Sequence, residues 1–150
     1  MLEDNKFIKH DVAFSEYFTQ EWAYKLLKNL AASKETRMKI QVPKIYHYDE
    51  TKKILTMQKI FGDNLSNIYG ENIEDVPPKI LPIIRQFIAL LSIYGIDYPD
   101  ITGYNFMLDK SENLWAIDFG HCISRDNSDT PNKFVQEFIN GKVSWNPEYK

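Results

Sequence analysis

The residues best suited to chemistry bracket a short predicted β-hairpin. Asp100 and Asn105 precede it, and Asp118 follows it at the head of the tripeptide Asp118-Phe119-Gly120. Because a hairpin returns the chain to the end from which it started, Asn105 and Asp118 should lie side by side, with Asp100 within reach on the preceding loop. Two carboxylates and an amide oxygen make an oxygen-only site, which Mg²⁺ prefers and completes with phosphate oxygens and water. The pattern therefore predicts a magnesium site at the mouth of this hairpin.

The elements that must position these residues are predicted by hydrophobic periodicity. The first part of the chain reads as a strand, a helix and a hairpin of two strands, over residues 6–10, 15–32, 40–48 and 53–60. The polar segment 49–52 would form the turn of that hairpin, and Gly62 would end its second strand.

The second part of the chain begins after Pro77-Pro78 with a helix over residues 80–93. This helix is apolar nearly all round, which predicts burial in the core. The hairpin that carries the polar residues follows, with strands at 105–108 and 114–117. A last helix is expected to begin with Thr130 as its N-cap and to end before Gly141. The fold class is therefore α+β.

Composition narrows the class of protein further. The 150 residues are 43% hydrophobic and 26% charged, as in one globular domain, and the net charge of -3 argues against a generally basic nucleic-acid-binding surface. The single cysteine, Cys122, cannot form an internal disulfide. No run approaches the roughly 20 apolar residues of a membrane span, and no signal peptide is evident. These features predict a cytoplasmic, intracellular protein that binds neither membrane nor nucleic acid.

The polar motif carries a resemblance to a known family. DITGYN at 100–105, followed by DFG at 118–120, resembles the catalytic loop and metal-binding motif of the protein-kinase-like fold, which includes aminoglycoside and choline kinases. The steps of five residues from Asp100 to Asn105 and thirteen to Asp118 fit the family. The resemblance implies one truncated kinase-like domain over 1–150, with a reduced N-lobe to about residue 61 and a reduced C-lobe from about residue 62.

The upstream segments resemble the nucleotide-binding half of the same fold. Phe7-Ile8-Lys9 looks like the strand that carries the ATP-contacting lysine, and Glu21 sits where the partner glutamate would be, with Glu16 as its rival. Residues 55–62 resemble the strand and hinge against which adenine docks, which implies that Met57, Gln58 and Ile60 bind the cofactor.

The resemblance also implies roles in phosphoryl transfer. Asp100 would accept or orient the proton of the substrate hydroxyl as catalytic base, and Asn105 and Asp118 would hold Mg²⁺ on the phosphates. Lys9, positioned by Glu21, would contact the α- and β-phosphates of ATP. The implied cofactors are ATP and Mg²⁺, and the acceptor would be a small molecule or a protein.

The sequence departs from the family pattern in several places. All six glycines lie at or after Gly62, so no glycine-rich loop precedes Lys9, and a second copy or a partner kinase could cover the open nucleotide site. The family's His-Arg-Asp is Tyr98-Pro99-Asp100, without the arginine that binds a phosphorylated activation loop. Only 30 residues follow Gly120, too few for the large helical subdomain that binds protein substrates.

Two functions from different classes remain open. The intact Asp100, Asn105 and Asp118 set favours a minimal Mg-ATP-dependent phosphotransferase. The absent glycine loop and reduced helical lobe favour a pseudokinase, an interaction module that binds and regulates another kinase by mimicking one lobe; a metal-dependent hydrolase is the minor alternative. His121 and the segment 145–148 are assigned no chemical role, since a surface or packing role accounts for both.

Overall fold

The computed structural model of the chain describes residues 5–33, 38–126 and 129–149. Its elements follow the predicted α+β order, so the fold class is confirmed. They are β1 Lys6–Lys9, α1 Phe14–Ser33, β2 Ile40–Gln41, β3 Ile45–Asp49, β4 Ile54–Gln58, β5 Gly62–Asn64, α2 Leu65–Tyr69, α3 Leu81–Ile93, β6 Ile96–Asp97, β7 Phe106–Asp109, β8 Leu114–Ala116, β9 Ile123–Ser124 and α4 Lys133–Ile139. Short 3₁₀ turns lie at Ile73–Asp75, Gly103–Asn105 and Pro147–Tyr149.

The first sheet has the strand order β1-β4-β3, and all its pairs are antiparallel. The predicted turn between β3 and β4 is present, and the Asp49 carboxylate accepts a hydrogen bond from the Lys52 amide at 3.0 Å. Leu55 and Met57 of β4 form a small buried cluster with Val12. The Gln20 side chain of α1 donates to the Pro43 carbonyl at 3.1 Å, which fixes the helix against this sheet.

The predicted strand over residues 40–48 is wrong as a single element. Its first two residues form β2, which pairs in parallel with β8, whereas β3 pairs with β4 in the other sheet. Pro43 lies between them, has no amide hydrogen and cannot extend a ladder of hydrogen bonds. One apolar segment therefore ties the two sheets together.

Gly62 does not end the strand that precedes it, as the sequence had predicted. β4 ends at Gln58, and Gly62 begins β5, which pairs with β7 in the sheet of order β2-β8-β7-β5. A Cβ atom at Gly62 would lie only 1.9 Å from the Leu108 carbonyl oxygen. Glycine is required here by the close approach of two backbones rather than by a turn.

The helix α3 is buried along one stripe rather than all round. Ile84, Phe87, Ile88 and Leu91 lie in the main core, but Ile93 is 79% exposed. Their spacing is that of one face of an α-helix, so the apolar residues outside it remain partly in contact with water. Among the helices in the described ranges, none is long and apolar enough to span a bilayer.

The last helix begins later than predicted. α4 starts at Lys133, and its N-cap is Asn132 rather than Thr130, because the Asn132 side-chain oxygen accepts from the Val135 amide at 3.1 Å. The Asn132 amide in turn donates to the buried Asp97 carboxylate at 2.8 Å. A buried acceptor thus selects which residue caps the helix, and this contact across 35 positions has no local signal in the sequence.

We expect Phe87→Ala to lower the free energy of unfolding by about 3 to 5 kcal/mol, because it leaves a cavity in the main core. Ile93→Ala on the same helix is the matched control and should change it by no more than about 0.5 kcal/mol. Urea unfolding with an unchanged m-value measures both. Equal effects of the two substitutions would contradict the one-sided burial of α3.

Candidate functional site

The β7–β8 hairpin brings the two ends of the predicted motif together. Phe106 pairs with Ala116, and the Ile117 amide donates to the Asn105 carbonyl at 2.9 Å. Asn105 and the residue before Asp118 are therefore hydrogen-bonded neighbours at one end of the hairpin. This is the end of the hairpin at which the sequence predicts both side chains.

Asn105 is fixed to the loop that carries Asp100. Its side-chain nitrogen donates to the Asp100 backbone carbonyl at 3.0 Å, and the residue is buried. This bond directs the amide nitrogen towards the loop and leaves the amide oxygen, Oδ1, without a hydrogen-bond partner among the described residues. An amide oxygen in that state is suited to a cation.

Asp118 stands directly after the hairpin in a backbone conformation that few side chains adopt. Its φ angle is 61°, in the left-handed region that aspartate tolerates better than most residues. Its carboxylate oxygen Oδ1 accepts from the Gly120 amide at 3.1 Å and lies 3.5 Å from the Lys9 Nζ atom. The turn therefore presents the carboxylate to the end of β1.

Lys9 pairs with Glu16, and the predicted pairing with Glu21 is wrong. The Lys9 Nζ atom donates to Glu16 Oε2 at 2.5 Å. Glu16 lies in the first turn of α1, next to β1, whereas five further residues turn Glu21 about 140° around the helix. Glu21 instead lines a cavity of about 380 Å³ with Tyr17 and with Tyr46 of β3.

Gly120 makes room for this pair. A Cβ atom at Gly120 would lie 2.9 Å from Glu16 Oε1, closer than side-chain carbons approach such oxygens. The glycine of the tripeptide 118–120 thus lets Glu16 reach under the turn that carries Asp118. Lys9 Nζ is therefore close to two carboxylates, Glu16 of α1 at 2.5 Å and Asp118 of the turn at 3.5 Å.

The Lys9 side chain remains charged in this environment. Burial alone lowers the pKa of Lys9, but the hydrogen bond to Glu16 and the charge of Asp118 oppose it, and the pKa ends above its usual value. Because folding raises this pKa, the cluster contributes its full stabilisation at neutral pH. On the alkaline side, that contribution is lost as the pH rises through the pKa of Lys9 in the folded chain.

Tyr98 stands where the kinase-like motif has a histidine, and it ties the loop of Asp100 to the hairpin. Its hydroxyl donates to the Ile117 carbonyl at 2.5 Å, and its ring meets the Phe119 ring edge-on at 5.5 Å. Burial, together with nearby negative charges, raises the pKa of Tyr98 well above its usual value, so the hydroxyl stays protonated and keeps donating.

The residues predicted to contact adenine lie along β4 and just beyond it. Met57 is buried in the small cluster under α1, where its sulfur accepts from the Gln20 amide at 3.5 Å. The Gln58 side chain accepts from the Lys44 amide at 3.2 Å. Gln58 and Ile60 line a cavity of about 200 Å³ beside Trp115. Their role in binding a nucleotide stays a prediction.

Two residues beside Asp100 were missed as functional candidates. His121 Nδ1 lies 2.8 Å from Asp100 Oδ2. Asn146 holds the loop on both sides of Asp100. Its side-chain nitrogen donates to the Pro99 carbonyl at 2.7 Å, and its backbone amide donates to the Ile101 carbonyl at 2.8 Å. The position of His121 directly after Gly120 was an available signal, whereas Asn146 had none.

The donor set fits magnesium. In the described ranges no group of three or more His, Cys, Asp or Glu side chains is placed to hold a metal ion, so a closed site of the zinc type is absent there. The hairpin mouth offers the Asn105 amide oxygen and the Asp118 carboxylate. Mg²⁺ keeps several waters and is held by one or two protein oxygens together with phosphate, which this pair can supply.

Comparison with known proteins decides the family. The model of the RIO domain family matches residues 3–139 of the chain. The chain belongs to the RIO domain family. The resemblance to a protein-kinase-like fold that the DITGYN and DFG segments indicated is therefore confirmed.

Solved kinase structures share the fold of this RIO-domain chain. The Cydia pomonella granulovirus kinase PK-1 superposes with a TM-score of 0.56 at 16% identity, over 79% of this chain and 42% of that one. The bifunctional kinase-methyltransferase WbdD superposes with a TM-score of 0.52 at 21% identity, over 91% of this chain and 32% of that one. The RIO-domain chain thus spans less than half the length of either.

We expect Glu16→Gln to lower the free energy of unfolding by about 1 kcal/mol at neutral pH, because a charged hydrogen bond to Lys9 is lost at a partly buried place. Glu21→Gln in the same helix is the matched control and should leave it within about 0.5 kcal/mol. Urea unfolding measures both. A larger effect at Glu21 than at Glu16 would restore the pairing predicted from the sequence.

Proposed function

We propose that the chain is a Mg-ATP-dependent phosphotransferase that transfers the γ-phosphate to a hydroxyl acceptor. The observation that carries the proposal is a pair of contacts at the mouth of one hairpin: the Asp118 carboxylate lies 3.5 Å from Lys9 Nζ, and the Asn105 side chain donates to the Asp100 backbone carbonyl at 3.0 Å. A purely structural hairpin needs none of these groups there. Membership of the RIO domain family and the kinase fold support the same proposal.

In this proposal the nucleotide phosphates lie between β1 and the hairpin. The Asn105 amide oxygen and the Asp118 carboxylate would hold Mg²⁺, which when bound neutralises charge on the phosphate oxygens. Lys9 would contact the α- and β-phosphates, and its neighbours Glu16 and Asp118 keep it protonated. Met57, Gln58 and Ile60 would line the place of adenine.

Asp100 would act as the base towards the acceptor. Its side chain is 8% exposed, and its Oδ1 atom has no hydrogen-bond partner among the described residues. The acceptor hydroxyl oxygen would bond to the γ-phosphorus while the bond from that phosphorus to the β,γ-bridging oxygen breaks. The hydroxyl proton passes to Asp100, and ADP leaves. Such a transfer depends on positioning and on neutralising charge rather than on covalent chemistry by the protein.

The open edge of β1 bears on how fast this transfer runs. In the described part of the chain β4 is the one strand paired with β1, and Phe7 and Ile8 are 49% and 56% exposed. Water would therefore reach the phosphates more freely than in a closed site, which weakens electrostatic stabilisation there. We propose slow turnover unless a second copy or a partner chain covers this edge. The proposed place of action is the cytoplasm.

The same open edge favours a second candidate, a pseudokinase that binds another kinase. An unpaired strand edge with exposed apolar side chains is a ready surface for a partner strand. In that case the retained Asp100 would have no catalytic consequence. Turnover therefore separates the two candidates.

The experiment measures Mg-ATP binding by thermal shift and ADP formation in parallel. Mg-ATP at 100 times its Kd should raise the free energy of unfolding of the native chain by about 2.7 kcal/mol. Asp118→Asn should lose most of this Mg-dependent stabilisation. Asp100→Asn should keep it but lose at least about a hundredfold in the rate of ADP formation.

The matched control is Asp75→Asn, the same chemical change at an exposed position in the turn Ile73–Asp75. It should leave both readouts unchanged. Binding without ADP formation in the native chain would reject the phosphotransferase and favour the pseudokinase. A melting temperature that Mg-ATP leaves unmoved would contradict nucleotide binding altogether.

A further inference from the structure

The Asp100 carboxylate is hydrogen-bonded to one side chain in the described ranges, that of His121. The distance from His121 Nδ1 to Asp100 Oδ2 is 2.8 Å. The two differ sharply in burial, since the Asp100 side chain is 8% exposed and the His121 side chain 54%. An exposed imidazole is thus hydrogen-bonded to one oxygen of a buried carboxylate.

The chemistry of the two groups sets the direction of this hydrogen bond. A carboxylate that is to act as a base is ionised, and its oxygens can only accept. Nδ1 of His121 must therefore carry the proton and donate it to Oδ2 of Asp100. The bond occupies Oδ2 and leaves Oδ1 as the oxygen that can take a proton from an acceptor hydroxyl.

His121 is itself held by the C-terminal segment. Its ring packs against the Tyr149 ring, with 4.7 Å between ring centres. Tyr149 lies in the turn Pro147–Tyr149, directly after Asn146, whose two hydrogen bonds grip the backbone on both sides of Asp100. The Glu148 amide donates to the Asn146 side-chain oxygen at 3.1 Å and closes this turn. One segment therefore fixes both the loop and the imidazole.

We propose that His121 is a positioning residue for Asp100 and that residues 145–149 hold the two in register. The inference rests on the proposed function, in which Asp100 is the base. His121 would act by fixing the carboxylate so that Oδ1 faces the acceptor, a geometric effect that transfer reactions feel strongly. In the described part of the chain His121 makes no hydrogen bond to Lys9, Asn105 or Asp118, so nucleotide binding should not depend on it.

The test compares His121→Ala with His121→Asn in the full chain. Asparagine is chosen because its amide nitrogen can take the place of Nδ1 and donate to the same oxygen. We expect His121→Ala to lower kcat for ADP formation by about tenfold to a hundredfold, with the KM for Mg-ATP and the Mg-ATP thermal shift unchanged. His121→Asn should recover most of the lost rate. The kcat of Tyr149→Ala should lie between that of His121→Ala and that of His121→Asn.

His47→Ala, an exposed histidine of β3, is the matched control and should leave kcat unchanged. A native kcat in His121→Ala would overturn the inference. So would a His121→Asn variant as slow as His121→Ala, because packing rather than the hydrogen bond would then be at work. A raised KM for Mg-ATP with an unchanged kcat would likewise overturn it and assign His121 to nucleotide binding.

Failure of the inference is distinguishable from failure of the proposed function. If the native chain forms no ADP, the proposed function fails, and the hydrogen bond is then measured directly by ¹⁵N NMR of the histidine rings. The inference expects His121 as the Nδ1-protonated tautomer, with a signal that shifts in Asp100→Ala while that of His47 does not. An Nε2-protonated His121 that is insensitive to Asp100→Ala would overturn the positioning contact whatever the turnover.

Discussion

The structure depends on the concentration of negative charge at the mouth of the β7–β8 hairpin. Asp100, Asp118 and Glu16 come from three separate parts of the chain, and their negative charges affect the pKa of neighbouring groups. Burial raises the pKa of the Cys122 thiol, and the charges of these three carboxylates raise it further. Carboxylates held this close repel one another unless cations lie among them. Lys9 supplies one positive charge, and the oxygens of Asn105 and Asp118 are the proposed ligands of a second cation.

Buried polar contacts to the backbone hold this charged arrangement in place. Tyr98 donates to the carbonyl before Asp118, Asn105 to the carbonyl of Asp100, and Asn146 to the carbonyl before Asp100. Such contacts cost little when every partner is satisfied, and they confine the loop to one conformation. The main core beneath, built on α3 and the hairpin, gives these contacts a rigid base. The core and these hydrogen bonds therefore fix the loop of Asp100 and the end of the β7–β8 hairpin relative to each other.

The part of the site that local spacing dictates could be predicted from the sequence. The hairpin of β7 and β8 consists of two short apolar segments joined by a polar turn, so it determines where Asn105 and Asp118 meet. Glu16 and Glu21 lie on the same helix, and which of them faces Lys9 depends on how α1 docks on β1. That docking is fixed by distant contacts such as the one from Gln20 to Pro43, which leave no periodic signal.

The remaining differences have the same physical origin. Pro43 divides an apolar segment between two sheets, and Gly62 is required by a backbone 46 residues further along the chain. Asn146 reaches back 47 residues to Pro99. None of these contacts is specified by neighbouring residues. The kinase-like motif could be recognised because its residues lie within one short stretch of the sequence. The residues that hold it in place are far from it in the sequence and meet it only in the fold.

The most direct test of the account is to locate the bound cation. Mn²⁺, which also prefers oxygen ligands, is added with ATP to the ¹⁵N-labelled chain, and paramagnetic broadening of the amide signals is mapped. We expect selective broadening around Asn105, Asp118 and Lys9, and its reversal by excess Mg²⁺. Broadening centred elsewhere, or spread evenly over exposed carboxylates, would contradict a magnesium site at the mouth of the hairpin.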